Sequence, residues 1–298
     1  MNAVADTWLQ RLHLPGSPTQ LAVLRIIIGL HVFAVLSSPA IPLLDRIGAT
    51  PYPLAHSALP DGLADFVDAH LALPLREVGL LASLLLALGL FTRTSAVVTT
   101  VCFFVTQHYW FRRASFHDDW LYLCFDLLVL CFARCGDALA LDTRLPWNRG
   151  RPLAAPQSYR WPIEAMVLGF AFVYVSAGLA KLLPLRKGLL WLDGSSAQAF
   201  AGEFALDAPI RLLFGTLPFD LAVQWPFTLA SWATVVIELG AGLLLWSRRA
   251  YAPVFVGILG LHLGIWMFGI PGFVQLALVH LPIFLDPRHF ARMDPRRA

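Results

Sequence analysis

Charge is scarce in this chain. Asp, Glu, Lys and Arg make up 14% of its 298 residues, where a soluble domain carries about 25%, and that excludes an ordinary soluble enzyme. Lysine is nearly absent: of 22 basic residues, all but Lys181 and Lys187 are arginine. These arginines are dispersed rather than gathered into a dense basic face, which argues against nucleic acid as a partner. The four cysteines, Cys102, Cys124, Cys131 and Cys135, fall in or at the ends of apolar stretches and form no CxxC pair. They read as small hydrophobes, not as metal ligands or disulfides. A Walker A loop, a GxGxxG after a strand, HExxH, GxSxG and histidine pairs at i, i+4 are all missing, so no metal site is expected and any chemistry must be assembled between helices.

What the chain has instead is apolar length. It is 58% hydrophobic with a mean hydropathy of +0.66, and eight apolar runs centre on 20–38, 75–91, 94–111, 119–135, 162–183, 226–246, 252–269 and 272–286. A helix of about 20 apolar residues crosses a ~30 Å hydrocarbon core, so the expectation is an all-α, polytopic membrane protein with about eight transmembrane helices forming one domain over 1–298. Gly269-Ile270-Pro271-Gly272 makes the last two a tight hairpin. The stretch 205–223, broken by Pro209 and Pro218, is expected to lie at the interface or to re-enter. Ile26–Leu36 followed by Ser37-Ser38-Pro39-Ala40 has the outline of a signal peptide, but the long mixed segment before it favours a retained first helix. Eight spans put both termini on one side; that side holds 13 Lys/Arg and the other 7, which predicts a multi-pass protein of the cell membrane with cytoplasmic termini.

An ionisable residue inside a span costs about 2.5–3.5 kcal/mol on insertion scales and is a functional candidate by default. The fourth run opens His117-Asp118-Asp119-Trp120, and the i, i+3, i+7 spacing of Asp119, Tyr122 and Asp126 places them on one stripe. In the fifth run Tyr174, Gly178 and Lys181 share a face, with Ser176-Ala177-Gly178 as a small-residue patch that admits a neighbouring helix. The predicted topology puts His117–Asp119 and Lys181 in the same leaflet. A lysine deprived of water can serve as a base near neutral pH, whereas a carboxylate beside it opposes that change. Structural alternatives stand beside these readings. Lys181 can snorkel to headgroups; Asp118 and Asp119 can cap a helix; Glu238 and His262 can hydrogen-bond each other or neighbouring hydroxyls as structural glue. Arg25 can pair with an acid or a headgroup, and His280 has no partner visible in the sequence.

The stretch Tyr174-Val175-Ser176-Ala177-Gly178-Leu179-Ala180-Lys181-Leu182, with Trp191-Leu192-Asp193-Gly194 ten residues on, resembles the Y-x-x-A-G-x-x-K-L…W-x-x-G stretch of the vitamin K-dependent gamma-carboxylase family. The bacterial members of that family are the horizontally transferred transmembrane (HTTM) domain proteins. Leu24-Arg25-Ile26, Gly89-Leu90-Phe91-Thr92-Arg93, Ala138-Leu139-Ala140-Leu141-Asp142, Ile237-Glu238-Leu239 and His262 extend the resemblance over most of 20–286. It implies an HTTM-type helical bundle in a bacterial inner membrane, with Lys181 as the base that deprotonates a vitamin K hydroquinone. Oxygen and carbon dioxide would be co-substrates in a lyase-like reaction. The family's N-H-S-Y-L aligns with His117-Asp118-Asp119-Trp120-Leu121, so Asp118 stands where the family has its histidine. The resemblance makes Lys181, His117, Asp118 and Asp119 the candidate catalytic residues, and Tyr174, Gly178, Trp191, Asp193, Glu238, His262 and Arg25 the candidate binding residues. The chain has no counterpart of the carboxylase's large lumenal portion, so the expected activity stops short of protein carboxylation.

The reading is therefore a membrane protein that binds a quinol-type molecule, with no covalently bound cofactor, and removes its hydroxyl proton. Two competing readings are a non-enzymatic helper for the maturation, export or immunity of a secreted peptide, and a DoxX-like subunit of a quinone-linked complex.

Overall fold

The computed structural model describes residues 7–39, 42, 59–114, 121–148, 152–182, 191–203, 208–215, 220–269, 273–285 and 289–290. Among the described residues every regular element is a helix. These are α1 (Trp8–Arg11), α2 (Pro18–Leu36), α3 (Asp61–His70), α4 (Ala72–Leu88), α5 (Thr92–Ala114), α6 (Leu121–Phe132), α7 (Arg160–Leu182), α8 (Ser195–Glu203), α9 (Ile210–Phe214), α10 (Trp225–Gly240), α11 (Tyr251–Met267) and α12 (Phe273–Phe284). The chain packs as two compact units. One is Leu12–Met166 with Leu285–Ala298 and the other Met1–Arg11 with Val167–Phe284; they are called here the N-terminal and the C-terminal unit.

Each of the eight predicted runs coincides with helix over its described residues, yet among the described residues only four helical segments are both long and apolar enough to cross a membrane: Pro18–Leu36, Pro156–Leu182, Trp225–Leu245 and Arg248–Met267. A fifth span results if α3 and α4, bent by 64° at Leu71, count as one. The shortfall has local causes. By itself α4 has 17 residues, and α6 and α12 have 12 each. The 23 residues of α5 include several threonines, a glutamine, a histidine and three arginines, which dilute its hydropathy. Within 205–223 the described part holds α9, whose Leu212 and Phe214 are exposed.

In the N-terminal unit Ser17 begins α2 by accepting the Gln20 N–H at 3.3 Å, with Pro18 in the first turn. Helices α4 and α5 form a hairpin, with α2 packed on α4 and α6 on α5. Arg112 at the end of α5 ties down α3 through Asp68 at 2.6 Å and Asp65 at 2.7 Å. Tyr122 and Asp126 are both buried, so that stripe of α6 faces protein.

Three of the short motifs meet at one place in this unit. The fully buried Arg25 of α2 donates to the carbonyls of Cys135 at 2.8 Å, Leu139 at 2.6 Å, Ala87 at 3.4 Å and Ala138 at 3.5 Å. Asp142 then closes the loop onto the start of α5, accepting the N–H groups of Phe91 and Thr92 at 2.8 Å each and the Thr92 hydroxyl at 2.7 Å. Between them Gly89 ends α4 at φ +68°, and a Cβ there would lie 2.5 Å from Ala140 Cβ and 2.6 Å from the Arg25 guanidinium. No residue with a side chain fits.

The C-terminal unit combines α1, the remainder of α7 from Val167 onward, and α8 to α12. Helix α10 packs on α8 and α11, and α11 on α12. Phe284 of α12 is wedged among Phe170, Tyr251 and Phe255, with ring centroids 4.7–5.5 Å apart. The fully buried Arg11 of α1 donates to the Leu244 carbonyl at 2.7 Å and lies over the Tyr251 ring at 5.3 Å. His280 donates through Nδ1 to the Leu276 carbonyl, 2.9 Å away, one turn earlier in its own helix, and packs edge-on against Phe170.

Candidate functional site

The site grows from one face of α7. At 100° per residue, positions 174, 178 and 181 lie within a narrow stripe, and this stripe meets α10 and α11. At Gly178 the helices come so close that a Cβ would lie 3.0 Å from the Leu239 side chain and 3.2 Å from Glu238 Cβ. The small residue is what allows the next turn of α7 to reach across.

At that next turn Lys181 Nζ donates to both carboxylate oxygens of Glu238, at 2.7 Å each. The side chains keep 15% and 8% exposure, so the pair is shielded but not sealed. Glu238 lies thirteen residues beyond the first residue of α10, Trp225, which is about 20 Å along the helix at 1.5 Å per residue. The ion pair therefore lies deep along α10 and not at its first turn. Helical side chains lean toward the N-terminus of their own helix, and Lys181 accordingly reaches back in the direction of Tyr174. Trp191 covers the ammonium, its ring centroid 5.1 Å from Nζ, a cation–π contact worth about 0.5–2 kcal/mol depending on desolvation. Trp191 is itself stacked on Phe200 of α8, at 5.9 Å and 25°.

Two turns earlier on α7 the Tyr174 hydroxyl is 2.5 Å from His262 Nε2 of α11, and the same tyrosine packs against Phe170 at 4.7 Å. Both members of this pair are buried. His262 thus bonds a neighbouring hydroxyl, as one of the structural alternatives had it, while Glu238 turns to Lys181 and not to His262, giving two cross-helix pairs, Lys181 with Glu238 and Tyr174 with His262. Each pair contains a group able to give a proton and one able to take it.

The remaining candidates divide. Asp193 is exposed, and its carboxylate accepts the Ser195 N–H at 2.8 Å, a bond across two residues that holds the acid below the ordinary carboxylate range. Its backbone carbonyl accepts from Thr228 Oγ1 at 2.6 Å and Gln224 Nε2 at 3.0 Å. Asp193 thus starts α8 and docks the Trp191–Gly194 turn on α10, which is how Trp191 is held over Lys181. Asp-Gly-Ser-Ser is a local turn signal from which this role could have been read; the anchoring Gln224 and Thr228 and the stacking Phe200 carry no such local signal. Arg25 belongs to the N-terminal unit, where its guanidinium is taken up by backbone carbonyls. His117, Asp118 and Asp119 lie outside the described residues. No family model, no curated protein and no solved structure matches the chain.

Proposed function

We infer that the chain is an integral membrane protein of the HTTM type, with about eight spans and cytoplasmic termini. It binds a quinol-type amphipathic substrate at the Lys181 face of α7 and removes a hydroxyl proton. The observation that carries this reading is the shielded Lys181–Glu238 pair beneath Trp191. An ammonium cannot act as a base. In a low-dielectric site, however, its proton can pass along the hydrogen bond to Glu238, leaving an amine beside a neutral acid. The substrate O–H then protonates Lys181 Nζ, the ammonium balances the new phenolate, and the Glu238 proton is what later leaves. The Tyr174–His262 pair, on the same stripe, orients the ring or carries the proton onward. Residues of this kind supply acid–base chemistry, not electron transfer, so the quinol fits here as substrate, with oxygen as the oxidant and carbon dioxide as a further co-substrate if the carboxylase resemblance extends that far.

The test is to purify the full chain in mild detergent, extract it for lipid quinones, and compare wild type with Lys181→Ala by mass spectrometry. The comparison is repeated with added vitamin K hydroquinone under air, reading epoxide. Quinone retained and epoxide formed by the wild type, with both lost in a folded Lys181→Ala protein, is the expected result. Equal retention in the two proteins, or no quinone and no epoxide in either, overturns the reading.

A further inference from the structure

Where α10 passes through the 3₁₀ turn Ala241–Leu245 and Arg248–Ala250 into α11, the seam between the two helices opens into a groove of about 480 Å³. Such a volume falls in the ~300–1,000 Å³ range of small-molecule sites. Its walls are nearly all apolar, with Ile237, Leu243, Pro253 and Val254 prominent, and the polar groups gather at one end, Ser247 and Arg249. No acidic residue lines it. Arg249 lines this rim and Arg248 precedes it in the same 3₁₀ turn, and neither pairs with a carboxylate among the described residues. Leu243 and Trp246, 56% and 68% exposed, continue the apolar surface outward.

A long apolar trough with a cationic rim, on helices that span a bilayer, has the shape and charge of a phospholipid with a net negative headgroup. A tryptophan beside paired arginines is the arrangement found at the membrane–water boundary, and basic pockets between spans recognise anionic headgroups there. We propose that this groove is a binding site for one anionic phospholipid, its phosphate held by Arg249 with Arg248 and an acyl chain laid along the α10–α11 seam toward Gly257. The site stands apart from the proton chemistry of Lys181, because it uses a different face of α10 and none of the residues assigned to that chemistry.

The experiment measures lipid retained by the full-length protein in nanodiscs of mixed phosphatidylglycerol and phosphatidylcholine, by native mass spectrometry. Wild type should retain one phosphatidylglycerol in preference to phosphatidylcholine. Arg249→Ala should lower that preference about fivefold, and Arg248→Ala/Arg249→Ala further, as expected for about 1 kcal/mol per interfacial cation. Nothing lies within 4 Å of where a Cβ at Gly240 would stand, so Gly240→Leu should fill the trough without distorting the helix and lower retention of either lipid. Three results overturn the proposal: equal retention of both lipids by wild type, unchanged preference in a folded double arginine variant, or displacement of the bound lipid by inorganic phosphate alone.

Discussion

Two cations shielded from water, Arg25 in one unit and Lys181 in the other, are neutralised by different means. Arg25 is enclosed by four backbone carbonyls, dipoles that can neither accept a proton for keeps nor move without unravelling the ends of α4 and α6. Lys181 is held by one carboxylate and one aromatic face, side chains that can exchange a proton, rotate or let a ligand in. An arginine stays charged at any accessible pH, whereas a lysine does not. The first arrangement fixes the loop after α6 against the end of α4; the second leaves a charge that the proposed chemistry can use. What surrounds a buried cation is a better guide to its role than the fact of its burial.

That contrast can be broken most severely at Arg25. Arg25→Met should leave its carbonyls unpaired at about 1–3 kcal/mol apiece, together a large part of a domain's ~5–15 kcal/mol. The protein should fail to extract as a monodisperse species, and Arg25→Lys should not rescue it, because a point charge cannot span the carbonyls that a guanidinium fork reaches. A well-behaved Arg25→Met protein would show that the knot is dispensable. Next in size, Lys181→Met or Glu238→Leu alone should cost about 3 kcal/mol, the low end for breaking a buried pair since Lys181 retains some exposure. The double variant should regain most of the loss in a thermal unfolding assay while remaining unable to retain quinone. No such recovery is available at Arg25, so a double variant as unstable as the singles would erase the distinction between the two sites.

Smaller effects refine the second region. Tyr174→Phe removes one hydrogen bond to His262 and should lower stability by about 1 kcal/mol; a larger drop in epoxide formation than in thermal stability would mark the tyrosine as a participant. The smallest effect belongs to Asp193. Its folded carboxyl titrates below the ordinary value of about 3.9, so whatever it adds to the docking of Trp191 is present above that value and fades as the pH falls through the lowered one. Tryptophan fluorescence followed from pH 6 to pH 2 should show this acid-side change in wild type, and Asp193→Asn should flatten it.

Much of this was legible in the sequence as position, and little of it as partnership. Apolar runs located the helices, because transfer of side chains to an apolar medium is summed locally along the chain. They did not establish the number of spans: α5 carries too many polar groups, and α6 and α12 are short. Lys181, Glu238, His262 and Arg25 stood out as ionisable groups in apolar stretches, and the 174–178–181 stripe predicted which face of α7 a neighbouring helix approaches. Pairing was different. Glu238 turned to Lys181 and His262 to Tyr174 because the close approach at Gly178 sets the relative register of α7 and α10, a quantity no single segment encodes. Arg25 was harder still, since backbone carbonyls have no sequence signature at all.

The hydrogen bond from Arg11 to the Leu244 carbonyl joins residues 233 positions apart. In a chain made from its N-terminus onward, Arg11 leaves the ribosome well before its acceptor is added. The C-terminal unit therefore closes late: α1 must wait, guanidinium unburied, while the 233 positions up to Leu244 are made. A ribosome stalled before residue 244 would hold a nascent chain whose α1 has nowhere to dock.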